Sequence, residues 1–127
     1  MAIQRFDSVP GMSRAVIHNG VIYFTGHGAR PEFTTPRDQA QAVLARMDEL
    51  LLRFGSDREH VLNAFLFVSD MRHYEEIASV WREWIPAQFA PASTLVEAKL
   101  SHEYLFLEVT LTAAVKETPG ETEGNDG

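Results

Sequence analysis

The sequence predicts an α+β sandwich, two helices packed on one face of a sheet, in the order β-β-α-β-α-β-β. Three observations carry that reading. Ala15-Val16-Ile17 and Val21-Ile22-Tyr23-Phe24 flank Asn19-Gly20, a strong hairpin signal because both turn residues tolerate positive φ. Ala40, Val43, Leu44, Met47, Leu50, Leu51 and Phe54 recur at the spacing of an amphipathic helix. From Tyr104 to Val115 the chain alternates, with Leu105, Leu107, Val109, Leu111, Ala113 and Val115 on one side.

The elements follow in order. After the hairpin comes a turn-rich loop, HGARPEFTTP, with no periodicity. Thr35 caps the first helix, Pro36 takes its first position and Asp38 completes a capping-box-like pattern; Gly55 ends it. Leu62–Val68, LNAFLFV, is nearly all apolar, which predicts an interior strand buried on both sides. Asp70 caps the second helix, whose apolar face holds Tyr74, Ile77, Trp81, Trp84 and Ile85, and Pro86 closes it. Thr94–Leu100 and Tyr104–Val115 are expected to pair across Ser101-His102-Glu103. The second face of the last strand, Tyr104, Phe106, Glu108, Thr110, Thr112 and Ala114, is too apolar for plain solvent surface and too polar for core. It fits a subunit interface with a carboxylate at its edge; an ordinary half-exposed sheet face is the alternative.

Composition narrows the function. The chain has 127 residues, 45% hydrophobic and 23% charged, which describes one globular domain. Eleven basic against 18 acidic residues give a net charge of −7, against a nucleic-acid or membrane-surface partner. The last twelve residues, KETPGETEGNDG, hold one lysine and four acids, so −3 sits there and −4 on residues 1–115. Residues 1–115 are read as one domain and 116–127 as a disordered acidic tail, since the tail has no large apolar side chain. With no cysteine, thiolate nucleophiles and cysteine-ligated metals are excluded. The five histidines form no close pair at metal-ligand spacing, so no metal is expected. MAIQRFDSVPG lacks the apolar stretch of a secretory signal, so a cytoplasmic protein is expected.

No nucleophile elbow or phosphate-binding loop occurs; Gly26-His27-Gly28 follows a strand but leads into a loop rather than a helix. Acid–base or binding chemistry is left. His27, in a Gly-flanked turn, is either a site residue or an exposed loop imidazole. Glu108, inside an apolar strand, is either satisfied by a hydrogen bond or ion pair, or serves as a proton donor or acceptor.

Val16–Gly26, the segment QAQAVLARMDELLLRFGSDREHVLNAFLFVSDMRHYEEIASVWREWI and the ending APASTLVEAKLSHEYLFLEVTLTAAV together resemble the RidA/YjgF family of reactive-intermediate imine deaminases, most closely its short YoaB-like branch. The resemblance covers about residues 3–115. It implies a chorismate-mutase-like fold and a homotrimer, with a small metabolite bound in clefts between subunits and no cofactor. In deaminating members a guanidinium clamps the substrate carboxylate, and a carboxylate orients the water that attacks the imine carbon. Thr25 and Gly26 match ligand-contacting positions and Glu108 the water-orienting glutamate. Met12 stands where an aromatic residue is common, and Ala78 where an asparagine is. Ser93, in Pro91-Ala92-Ser93-Thr94, stands where the clamp arginine is expected.

A hydroxyl cannot replace a bidentate guanidinium, so ordinary 2-iminopropanoate deaminase activity is not expected. The cleft is instead expected to take a different small metabolite, with Glu108 and His27 as acid–base groups and Ser93 and Thr94 as hydrogen-bonding partners. Arg14 or Arg30 could supply a substitute anchor. A non-catalytic ligand-sensing or interaction protein is the alternative.

Overall fold

The computed structural model describes residues 2–117. Nearly all of the acidic tail, from 118 onward, lies outside the described residues. The elements are β1 (Gln4–Phe6), β2 (Ala15–His18), β3 (Val21–Phe24), β4 (His27–Gly28), α1 (Pro36–Arg53), β5 (Val61–Val68), α2 (Tyr74–Trp84), β6 (Ala92–Glu97) and β7 (Leu107–Ala114). They form one mixed sheet in the order β1-β2-β3-β7-β5-β6, with β4 also on β7, and both helices on one side. The α+β sandwich is therefore the fold.

Local chemistry sets the element ends. Asn19 and Gly20 have φ of 51° and 77°, the two positive values a tight hairpin turn requires. The Thr35 hydroxyl accepts the Asp38 N–H at 3.0 Å, and Pro36 begins α1. At the other end Gly55 (φ 81°) donates to Leu52 O and Ser56 to Leu51 O, the paired bonds of a Schellman stop. Asp70 caps a short 3₁₀ turn, Met71–His73, which runs into α2.

The core lies between the helices and one face of the sheet: Ile22, Val43, Met47, Leu51, Ile77, Leu107, Val109 and Leu111 are all buried there. The apolar face of the last strand is thus the helix-facing one. Three expectations need correction. Two short strands, β1 and β4, add to the expected seven elements. β6 does not pair with β7; β5 lies between them, antiparallel to β7 and parallel to β6. β5 is interior to the sheet but not buried on both sides. Ala64, Leu66 and Val68 meet the helices, while Phe65 and Phe67 point to a face that no described element of the protomer covers.

Candidate functional site

β3 and β4 are two stretches of one path along β7. Tyr23 is opposite Thr112 and His27 opposite Val109, so Phe24, Thr25 and Gly26 face only Leu111 and Thr110. One residue is extra, and the resulting bulge is anchored by the Thr25 N–H on Arg14 O at 3.0 Å. A Cβ at Gly26 would lie 2.5 Å from Glu108 Oε2 and 3.0 Å from Thr110 Oγ1, so the Glu108 carboxylate rests directly against the bulge. Bulges of this kind re-aim side chains near active sites.

Glu108 belongs to the uncovered sheet face. Phe67 sits opposite it on β5, and the Phe65 and Phe67 rings stack with centroids 6.2 Å apart. Tyr23, Phe65 and Val96, exposed by 46%, 41% and 39%, extend the apolar patch over β3, β5 and β6 on either side of β7. Among the described residues no basic group reaches ion-pair distance of Glu108. An ion pair inside the protomer is therefore not what satisfies this half-buried carboxylate. A carboxylate amid apolar surface, free to accept, can orient a water or exchange a proton.

His27 emerges on the other side. Its partner Val109 is in the core, so the imidazole lies on the helix side of the sheet. Nδ1 is 2.9 Å from Thr25 O, and Nε2 is 3.3 Å from Arg14 Nη1. A guanidinium only donates, so Nε2 accepts and Nδ1–H donates to the carbonyl: this is a neutral imidazole in one tautomer. Burial, foremost, and the charges of Arg14 and Arg46 push the His27 pKa below 6.5, against the Thr25 carbonyl bond. Arg14 is itself held by Asp7 at 2.9 Å, and Asp7 takes a bidentate pair from Arg53 at 2.7 and 2.9 Å. The Arg53 hydrogen bonds, with help from Arg14, bring the Asp7 carboxyl down to about 2.

One protomer thus sorts the expected residues into separate groups. Thr25, Gly26 and Glu108 are together, with Thr94 on the same face through its register with Phe65. His27 and Glu108, expected as acid–base partners, are separated by the sheet. Arg14 and Arg30 are on the His27 side: Arg14 reaches His27, and Arg30, paired with Glu32 at 3.3 Å, lines a recess together with His27. Neither reaches Glu108. Ser93 is in register with Ala64, on the helix side, and lines a recess of about 240 Å³ with Tyr74, Ala78 and Trp81. Met12 is exposed in the turn after β1, bridged to Val9.

Gln39 is a residue that pattern reading passed over. It is fully buried, donates to Phe33 O (2.9 Å) and Tyr104 O (2.7 Å), and accepts the Phe106 N–H (2.8 Å). It ties the loop after β4 to the entry of β7. The signal was present: Gln39 is four residues before Val43, on the apolar face of α1, where an amide requires a reason.

Fold and site together define a small two-layer α+β sandwich with a bulged hairpin end set against a carboxylate on an open, half-apolar sheet face. The chain belongs to the RidA/YjgF family: the model described as Endoribonuclease L-PSP matches residues 2–115. It is 34% identical to a RutC family protein of Haemophilus influenzae, covering 89% of this chain and 98% of that one. It is 30% identical to the RutC family protein YoaB of Escherichia coli, covering 91% and 100%. A YjgF family crystal structure from Neisseria meningitidis superposes with a TM-score of 0.88 at 36% identity, covering 93% and 98%.

Proposed function

We propose that this protein binds a small metabolite in a cleft completed when further copies cover the open sheet face, most simply as a cytoplasmic homotrimer. The observation that carries the reading is the Glu108 carboxylate, without an ion-pair partner among the described residues, against Gly26 on an exposed apolar face. Exposed patches of that kind mark association surfaces, and association would seal the carboxylate from bulk water. The endoribonuclease named in the family description is not the activity that the charge supports, with 11 basic residues against 18 acidic.

In a sealed cleft Glu108 is the group for hydrolytic chemistry. It accepts a proton from a water that adds to an electrophilic carbon; for an imine, water adds, the C–N bond breaks, and an oxo compound and ammonia leave. The Thr94 and Thr110 hydroxyls supply neutral hydrogen bonds, and no cofactor is needed for such a step. A carboxylate substrate lacks its clamp: Ser93 stands where the family resemblance implies an arginine, and Arg14 is committed to Asp7. Ordinary 2-iminopropanoate deamination is therefore not the reaction. The same Ser93 favours a second reading, a ligand sensor that does no chemistry.

A coupled assay on imines generated from serine or threonine tests this. Wild type is expected to match Glu108→Gln, with Ser93→Arg gaining rate; wild-type hydrolysis well above Glu108→Gln overturns the denial of deaminase activity. A stabilising metabolite consumed on incubation supports the enzyme, and one recovered intact supports the sensor.

A further inference from the structure

The second recess of interest is on the side of the sheet away from Glu108. A cleft of about 520 Å³ opens between α1 and the strand and loop that follow the bulge, lined among others by His27, Arg30, Phe33, Ala42, Arg46 and Glu49. Its size is within the range of small-molecule sites, about 300–1,000 Å³. The geometry points to a binding site for a small monocarboxylate with an apolar body, separate from the Glu108 face and open while copies associate through that face.

Three features support it. First, the cleft is preformed. Phe33 N–H donates to Arg30 O, closing the loop into a turn, and buried Gln39 holds Phe33 O from below. A wall fixed in this way costs little to order on binding. Second, its walls and charges divide. Phe33, Ala42, Val43 and Ala45 give an apolar lining, and Arg30 and Arg46 bring guanidiniums to it. Arg46 has no ion-pair partner among the described residues, whereas Arg14, Arg53 and Arg30 each have one. A free guanidinium beside apolar surface is suited to a planar carboxylate. Third, Glu32 and Glu49 select against a higher charge. Glu49 lines the cleft and Glu32 pairs with Arg30, so a dianion such as a phosphate monoester would meet repulsion that a monoanion meets less. His27 contributes a neutral wall, its Nε2 already occupied by Arg14.

The test is an amide NMR titration of the full chain with hexanoate, with hexanol and hexylamine as controls. Hexanoate is expected to shift Gly28, Ala29, Ala42 and Arg46, and to bind at least about tenfold more tightly than either control. Arg46→Gln changes an exposed helix residue and leaves the core intact; it should weaken hexanoate at least about tenfold. Ala42→Trp, filling the cleft, should abolish the shifts. Equal binding of hexanol, unchanged affinity in Arg46→Gln, shifts confined to Phe65, Phe67 and Thr110, or no shift at all would each overturn the site.

Discussion

Gly26 is the residue at which sequence, geometry and chemistry meet. Its Cα faces the Glu108 carboxylate so closely that any Cβ would lie 2.5 Å from Oε2. Gly26→Ala should therefore destabilise by about 1–3 kcal/mol, as overpacking does. The cost should shrink when Glu108→Ala is also present, because the colliding carboxylate is gone. Urea unfolding of the four proteins measures this; equal cost in both backgrounds would refute the close approach. His27 carries a pH signature. Its folded pKa is depressed, so its contribution is full above 6.5 and is lost as pH falls through the lower folded value. His27→Gln should remove that part of the acid-side loss of stability, while an unchanged slope would contradict the neutral tautomer. Glu108 was legible in the sequence as a carboxylate in an apolar strand. That His27 lies across the sheet was not, because the bulge that fixes its face is set by register with β7, far along the chain.

At the scale of elements, helix ends and the hairpin were readable because their signals are local: Thr35, Pro36, Gly55 and Asn19-Gly20 each act within a few residues. β1 and β4 were not, since three residues and two residues are too short to show a period. The pairing of β6 with β7 failed for another reason. A turn-like Ser101-His102-Glu103 between two apolar runs reads as a hairpin, yet β5, an interior strand, takes a neighbour on each side and separates them. Gln39 then joins the loop after β4 to the entry of β7. Gln39→Leu keeps the volume but leaves two carbonyls and an N–H without their partner, and should cost on the order of 2–4 kcal/mol. It should also speed amide exchange at Phe106, whose N–H loses its acceptor. A cost below about 1 kcal/mol would mean water replaces the amide.

Across the whole molecule, the net charge of −7 proved a weak guide, since three of those units fall beyond residue 115. The uncovered sheet face carries more meaning. It was expected from the mixed second face of the last strand, and the structure widens it to Tyr23, Phe65 and Val96 on other strands of the sheet. A monomer would leave that apolar surface in water, about 25 cal/mol for each Å² that association could bury. Sequence could not assemble the proposed cleft, because Ser93 and Glu108 are on opposite faces of one protomer, and only association of copies would bring them together. Native mass spectrometry of the full chain, incubated with a pool of small metabolites, tests assembly and binding together. A species of three times 14.3 kDa is expected, carrying a small adduct that Glu108→Gln loses. A monomer, or the absence of any adduct that Glu108→Gln loses, would contradict the proposed cleft.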